Sequence, residues 1–189
     1  MSTLFDLTGK VAIITGSTKG IGKSIAEEYA KAGAKVVISS RKAHACQQVA
    51  DELRSQGFDA LPVACHVGDK AQLQNLVDRT LEAFGRIDVL VCNAATNPVY
   101  GPTHTVSDEA FDKIMGTNVK GTFWLCNMVI PHMVEQGVPS SCCRASPGCV
   151  PAPISASTAC PRRRKPAWPA TCRWSGARRV SASTASPPA

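Results

Sequence analysis

Short apolar runs alternate with amphipathic segments over the first 137 residues, and this alternation is the feature that most limits the possible folds. Four runs have the length and composition of buried strands, at residues 11–14, 35–39, 60–64 and 87–92. Helical patterns lie between or after them, at residues 20–32, 43–55, 69–84, 107–115 and 118–134. Asp69 with Gln72 resembles a capping box at the start of the third helix, and Ser107 is predicted to cap the fourth. This β-α-β-α order predicts a doubly wound parallel α/β sheet with right-handed crossovers.

The composition of the chain changes near Gly137. All 14 acidic residues precede this point, whereas eight of the 21 lysines and arginines follow it, so the formal charge of +7 comes from the C-terminal segment. That segment also holds nine of the 13 prolines and no Leu, Phe, Tyr or Met. We therefore predict a folded domain at residues 1–137 and a low-complexity, disordered tail at residues 138–189.

The sequence argues against several other classes of protein. No apolar run approaches the ~18 residues of a membrane span and no N-terminal run resembles a signal peptide, so we expect a cytoplasmic protein without a membrane partner. The nine cysteines are then expected to be reduced, and the five in the tail form no C-x-x-C pair, so we predict no metal site. A basic run at residues 162–165 is typical of nucleic-acid binding. GC-rich codons read in a shifted frame would produce many Arg and Pro residues and explain this run better. We therefore predict no nucleic-acid partner.

The turn between the first strand and the first helix predicts nucleotide binding. Gly16, Gly20 and Gly22 allow a tight turn and a close approach of the backbone to phosphate. The helix that follows offers free N–H groups and the positive end of its dipole to a pyrophosphate. An ordinary glycine-rich turn is the alternative, but the position of the three glycines between a strand and a helix favours a nucleotide site.

Three motifs over residues 6–137 resemble those of the classical short-chain dehydrogenase/reductase family. The family pattern T-G-x-x-x-G-x-G is met from Thr15 to Gly22, and residues 92–95 are similar to its N-N-A-G segment with two departures. Asn118 resembles the Asn of the family's catalytic tetrad. Residues 93–98 are similar to the carbonyl- and retinal-reducing subgroup. The resemblance implies an incomplete Rossmann-type sheet of four strands in the order 3-2-1-4, with the fourth strand left as an uncovered edge.

The resemblance also implies which residues bind a nicotinamide cofactor. They are Gly16, Ser17, Lys19, Gly20, Ile21, Gly22, Arg41, Val67, Asn93 and Ala94. An acid at the end of the second strand would select NAD, but Arg41 stands there and can pair with a 2′-phosphate, with Lys19 adding charge nearby. We therefore predict NADP over NAD, the alternative being that Arg41 belongs to a solvated helix start. His66 stands where the family usually has an Asp beside the adenine, and it either weakens that contact or is a surface histidine.

The chain lacks most of the residues that the family's reaction needs. The resemblance implies a Tyr as general acid/base, a Lys four residues later and a Ser that polarises the carbonyl. Neither tyrosine, Tyr29 or Tyr100, is followed by Lys at the fourth position, so Asn118 alone remains of the tetrad.

We expect the chain to descend from an oxidoreductase that transfers hydride between NADP(H) and a small carbonyl or alcohol. The chain with the sequence given is expected to be inactive. A non-catalytic nucleotide-binding fragment is the alternative. The family is usually homo-oligomeric, although its interface helices are incomplete here.

The genetic code offers a reason for the missing residues. Third codon bases are mostly free, so the tail can be back-translated and read from the third base of each codon. Residues 154–170 can then encode L-G-V-Y-G-M-S-K-A-A-E-A-G-L-A-R, which resembles the family's Tyr/Lys helix. We therefore predict that the tail is a frameshifted reading of the family's C-terminal half, with a natural disordered tail or a splice product as alternatives.

Overall fold

The computed structural model describes residues 6–99, 101–138 and 142–144, with Thr103 and the last three residues described for their backbone alone. All of them lie in the first of two compact units, residues 1–149. The strands are β1 Val11–Thr15, β2 Lys35–Ser40, β3 Ala60–Ala64, β4 Val89–Cys92 and β5 Cys142–Arg144. The α-helices are α1 Gly20–Lys31, α2 Ala43–Ser55, α3 Lys70–Phe84, α4 Asp108–Met115 and α5 Thr122–Glu135. A short 3₁₀ turn, Thr103–Thr105, precedes α4, and a π-helical segment, Gly116–Gly121, joins α4 to α5.

The strands form one parallel sheet in the order β3-β2-β1-β4-β5. Ile13 at the centre of β1 pairs with Val37 of β2 and Leu90 of β4, so β1 is flanked on both sides. The predicted order 3-2-1-4 is confirmed. The expectation of an uncovered fourth strand is wrong, because β5 pairs with β4. A parallel ladder is made by backbone N–H and C=O groups, so the edge of β4 can accept a strand whose side chains carry no strand pattern.

Both faces of the sheet are covered by helices, because successive side chains of a strand point to opposite faces. Ile13 packs on one face with Leu73 of α3 and Val129 of α5. Ile14 packs on the other face in a cluster that includes Ala26 of α1 and Leu53 of α2. This two-sided burial is the reason that the first strands read as continuous apolar runs. In the part of the chain that the structure describes, no helix is long and apolar enough to span a bilayer.

The start of α3 follows its sequence prediction in part. The Asp69 carboxylate accepts hydrogen bonds from the backbone N–H groups of Ala71, at 2.9 Å, and Gln72, at 3.3 Å. The Gln72 side chain does not return to the Asp69 N–H as in a full capping box. It donates to the Asp69 carboxylate at 2.9 Å and accepts from the His66 N–H at 2.8 Å, which ties the loop after β3 to the helix.

The two helices predicted after residue 107 form one continuous helical rod. Ser107 caps α4 as predicted, accepting from the Ala110 N–H at 3.3 Å. The prediction of a separate helix starting near Asn118 is wrong, because the π-helical segment carries the helix through this region. Gly121 lets the rod lie close to the loop after β3, since a Cβ there would stand 2.1 Å from the Val67 carbonyl oxygen.

Candidate nucleotide-binding site

A cavity of about 650 Å³ lies at the C-terminal ends of β1 to β4. Its lining residues are Gly16, Thr18, Lys19, Ser39, Ser40, Arg41, Lys42, Cys65, His66, Val67, Asn93, Ala94, Ala95, Thr96, Lys113 and Thr117. Six of the predicted cofactor residues therefore line one cavity: Gly16, Lys19, Arg41, Val67, Asn93 and Ala94. Ser17, Gly20, Ile21 and Gly22 lie in the adjoining turn and first helix, and Ile21 is 70% exposed. This end of a doubly wound sheet is where ligands bind in such folds.

The three glycines of the turn have separate structural roles. Gly16 has a φ of 69°, which favours glycine, and a Cβ there would stand 3.0 Å from the Ala94 Cα. A Cβ on Gly22 would stand 2.3 Å from the Gly16 carbonyl oxygen, so this glycine lets α1 pack against the turn. Gly20 has a φ of 56°, and a Cβ on it would meet no atom of the described residues within 4 Å. Gly16 and Gly22 shape the turn, and Gly20 leaves open space at the start of α1.

Buried hydrogen bonds hold the turn in place. The Ser17 hydroxyl donates to the Ile14 carbonyl at 2.8 Å and accepts from the Ser39 N–H at 2.9 Å. The backbone N–H groups of Gly16 and Ser17 both donate to the Ser39 carbonyl, at 2.8 and 3.1 Å. The Ser17 hydroxyl thus joins the turn to β2 through its hydrogen bonds. Its contact with a cofactor stays a prediction.

The end of β4 is fastened to the same turn. The Asn93 side-chain Nδ2 donates to the carbonyls of Thr15, at 3.1 Å, and Gly16, at 3.2 Å. The Thr15 hydroxyl accepts from the N–H groups of Asn93 and Ala94, both at 3.1 Å, and lies 3.3 Å from the Val91 carbonyl. Sequence reasoning used Thr15 only as part of a motif, and nothing in its spacing indicates that its hydroxyl joins two strand ends.

The cavity is basic and has polar groups suited to an anionic ligand. Lys19, Arg41 and Lys42 line it, and none of its described lining residues is acidic. Ser39 also lines it, and the Ser39 Oγ is the only buried side-chain N or O atom in the described part of the chain without a hydrogen-bond partner. The open glycine turn and the basic rim together fit a phosphorylated dinucleotide.

Cys65, which lines the far side of the cavity after β3, and the nearby Asp69 each stay in one ionisation state near neutral pH. Burial raises the pKa of the Cys65 thiol to about 11, and the Asp69 carboxylate adds to this effect. Cys65 is therefore a neutral thiol rather than a nucleophile. Backbone hydrogen bonds from Gln72 and Ala71 lower the pKa of Asp69. Four cysteines have buried side chains: Cys46, Cys65, Cys92 and Cys126.

Asn118 lies in the π-helical segment, a kind of irregularity that is frequent at functional sites. Its side-chain Oδ1 accepts from the Thr96 N–H at 2.8 Å, and its Nδ2 donates to the Thr96 carbonyl at 2.9 Å. Thr96 lines the cavity, so Asn118 fixes the loop after β4 at the cavity wall. Tyr100, in this loop, lies outside the described residues, as do Cys149, Cys160 and Cys172 of the tail, its basic run and the region of the frameshifted motif.

The described residues contain no group of three or more His, Cys, Asp or Glu side chains placed to hold a metal ion.

Comparison with known proteins adds a family model, described as short chain dehydrogenase, that matches residues 10–140. A short-chain dehydrogenase/reductase of Arabidopsis thaliana is 42% identical over 131 residues, which cover 69% of this chain and 51% of the relative. Tropinone reductase-like 3 of Erythroxylum coca is 43% identical over 125 residues, 66% of this chain and 48% of the relative. The chain thus spans about half the length of the curated relatives it matches.

Solved structures give the same picture. A short-chain type dehydrogenase/reductase from Mycobacterium marinum matches with a TM-score of 0.70 and 40% identity, over 76% of this chain and 59% of that one. A 3-ketoacyl-(acyl-carrier-protein) reductase from Brucella melitensis, complexed with NADH, matches with a TM-score of 0.66 and 39% identity, over 70% of this chain and 53% of that one.

Proposed function

The chain belongs to the short-chain dehydrogenase/reductase family, and from this premise we propose that it binds NADP(H) in the cavity at the C-terminal ends of β1 to β4. The observation that carries the proposal is the glycine turn, whose open space at Gly20 lies at the start of α1 beside the basic cavity. The N–H groups at that helix start would receive the pyrophosphate. The Brucella reductase that resembles this chain is complexed with NADH, which supports a nicotinamide dinucleotide as the ligand.

The preference for NADP over NAD rests on charge at the end of β2. Arg41 follows β2 directly and lines the cavity together with Lys42 and Lys19. A guanidinium can pair with a 2′-phosphate through two parallel hydrogen bonds. No carboxylate of the described residues lines the cavity there to accept a ribose hydroxyl or repel a phosphate.

The whole family protein would be an oxidoreductase that acts on a small carbonyl or alcohol. A bound nicotinamide supplies or accepts hydride, and the protein must hold the substrate and exchange the proton. Asn118 can hold the loop at Thr96, but an amide does not titrate near neutral pH, and no Y-x-x-x-K sequence occurs in the chain. We therefore propose that the chain as written does not turn over. A non-catalytic nucleotide-binding fragment remains the alternative, and it differs in activity rather than in binding.

A folded domain at residues 1–137 and a tail at residues 138–189 are supported by the change in composition, although β5 extends the sheet to Arg144. The frameshifted origin of the tail and a cytoplasmic location are supported by the sequence arguments above. Self-association, which is usual in the family, is supported by a stripe of exposed apolar side chains along α4, the π-helical segment and α5. Its members are Phe111, Met115, Val119 and Phe123.

Titration with the two cofactors tests the proposal. We expect the full chain to bind NADPH more tightly than NADH at an ionic strength high enough to suppress anion binding by the basic tail. Arg41→Gln should weaken NADPH binding about tenfold or more, because a charged hydrogen-bonded pair is lost, and should leave NADH binding unchanged. Arg79→Gln, on the exposed face of α3, is the matched control. Tighter binding of NADH than of NADPH by the unmodified chain would refute the role of Arg41.

A further inference from the structure

The turn between β2 and α2 holds two of the cations on which the proposed preference for NADP(H) rests. β2 ends at Ser40 and α2 begins at Ala43, so Arg41 and Lys42 alone join them. Both residues are exposed and line the cavity. Lys42 is the N-cap residue of α2 and makes no side-chain capping hydrogen bond. The turn thus lacks the usual side-chain cap, and other contacts between β2 and α2 hold its position.

The Cys46 thiol, at the end of the first turn of α2, makes contacts of this kind. Its Sγ accepts the Ser40 N–H at 3.1 Å and lies 3.4 Å from the Ser40 hydroxyl and 3.6 Å from the Ser40 carbonyl oxygen. The backbone closes the same turn, because the Cys46 N–H donates to the Lys42 carbonyl at 3.1 Å and the Lys42 N–H donates to the Ser40 hydroxyl at 3.3 Å. Arg41 therefore belongs to a short loop whose two ends meet where Cys46 contacts Ser40.

A thiol suits this place because it is small and apolar, and can still act as a weak donor and acceptor. Cys46 is 1% exposed and belongs to the apolar cluster in which α1 and α2 cover one face of the sheet. Its Sγ also lies 3.9 Å from the Val63 carbonyl oxygen, so it contacts β2 and β3 near their C-terminal ends. Removing the sulfur would leave a gap between α2 and these strand ends, and the first turn of the helix would be free to shift.

We propose that Cys46 is a positioning residue, which fixes the turn between β2 and α2 and thereby the selection of NADPH over NADH. This inference rests on the proposed binding of NADP(H) and specifies what holds Arg41 in place. A guanidinium pairs with a phosphate through two parallel hydrogen bonds, so the strength of the pair depends on orientation. NADH has a hydroxyl in place of the 2′-phosphate and makes no such pair. Loosening the turn should therefore weaken the binding of NADPH and leave that of NADH unchanged.

The test measures the ratio of the NADH dissociation constant to that of NADPH. Both cofactors are titrated into the full chain by calorimetry, at an ionic strength that suppresses anion binding by the basic tail. A general loss of stability lowers the folded fraction equally for both cofactors and cancels in this ratio. Cys46→Ala and the milder Cys46→Ser are compared with the unmodified chain. Val49→Ala is the matched control, because Val49 lies about one turn further along α2 in the same buried cluster and outside the cavity lining.

We expect Cys46→Ala to lower the ratio about fivefold, through the NADPH constant alone, as for residues coupled within one hydrogen-bond network. Cys46→Ser should lower it about threefold, because oxygen is smaller than sulfur and fills only part of the gap. Val49→Ala should lower the thermal unfolding midpoint and keep the ratio within about twofold of the unmodified value, since it does not touch the turn. When Arg41→Gln is already present, Cys46→Ala should not lower the ratio further, because the group that it positions is gone.

A ratio that both Cys46 variants leave within about twofold of the unmodified value would overturn the positioning role, since coupled residues should change it by more. If Cys46→Ala does not fold, Cys46→Ser alone decides by the same limit. An equal fall in Val49→Ala, or a further fall in the presence of Arg41→Gln, would overturn it as well. Each of these results leaves the proposed function intact. Failure of the unmodified chain to bind either dinucleotide, or tighter binding of NADH, would overturn the proposed function together with this inference.

Discussion

At the scale of single residues, Asp88 is a buried carboxylate, and its charge must be stabilised by neighbouring groups. It directly precedes β4, is 4% exposed, and accepts the Val11 N–H at 3.0 Å. The Arg86 guanidinium binds both carboxylate oxygens, at 2.7 and 2.5 Å, and the Lys10 ammonium lies at 3.4 Å. Burial alone would raise the pKa of Asp88, but the Arg86, Val11 and Lys10 partners together lower it. The charged form thus ties β4 to β1 at the end of the sheet opposite the cavity.

Asp88→Asn should destabilise the chain near neutral pH, by about 1–3 kcal/mol, since a buried group loses its charged hydrogen bonds. The partly exposed Arg86 and Lys10 keep the effect at the lower part of that range. Because the folded pKa lies below the unfolded value of 3.8, this stabilisation is present above about pH 4 and is lost as the pH falls through the folded pKa.

Denaturant titrations at several pH values check this. The stability difference between Asp88→Asn and the unmodified chain should shrink towards zero in acid, and a difference that does not depend on pH would contradict the assignment. Asp51→Asn, which removes an exposed ion pair with Arg54, is the control and should change little.

At the scale of elements, the regular parts of the fold follow from the sequence, and the parts set by tertiary contact do not. The buried runs locate β1 to β4, because strands covered on both faces must be apolar throughout. The Asp69 and Ser107 caps indicate helix starts in the sequence, because their side chains accept hydrogen bonds from free N–H groups of the first helical turn. The π-helical segment has no such local signal, since the helical pattern continues on both sides of it. The three-residue β5 could not be predicted from the sequence either, because it pairs with the edge of β4, which is remote in sequence.

The joint between the π-helical segment and the loop after β3 should be sensitive to a single methyl group. A Cβ on Gly121 would stand 2.1 Å from the Val67 carbonyl oxygen, so Gly121→Ala must push the helix or the cavity loop aside. We expect a loss of about 1–3 kcal/mol in stability and weaker NADPH binding, measured by thermal unfolding and calorimetry.

Gly116→Ala provides the matched control for this joint. Gly116 belongs to the same π-helical segment, and a Cβ on it meets no described atom within 4 Å apart from its chain neighbours and the nearby backbone of its own helix. It should be neutral or slightly stabilising, because alanine lowers the conformational entropy of the unfolded chain. Equal destabilisation by the two variants would show that the segment, rather than the contact with Val67, sets the effect.

At the scale of the whole molecule, the sequence predicts the candidate binding site better than it predicts the substrate and the reaction. The glycine turn and Arg41 are local signals, and the structure brings both into one cavity. The supporting hydrogen bonds of Thr15, Ser17 and Asn118 depend on strand and helix ends that are far apart in the chain, so no spacing rule reveals them. The identity of the substrate has no signal in the described residues, because fold and family do not fix it.

The absence of a proton donor makes the sharpest prediction for the chain as a whole. Hydride transfer to a carbonyl leaves an alkoxide that must take a proton, and a positioned acid contributes ~10²–10⁴-fold to such a step. The chain contains no Y-x-x-x-K, and Asn118 is engaged with Thr96, so we expect no oxidation of NADPH with any member of a panel of small aldehydes and ketones. A gene whose reading frame is restored after the codon for Gly137 should encode the Tyr and Lys pair and recover turnover, while a Tyr→Phe variant of that product should lose turnover and still bind NADPH. Turnover by the chain as written would refute the argument from the missing acid, and a restored frame without the pair would refute the frameshift.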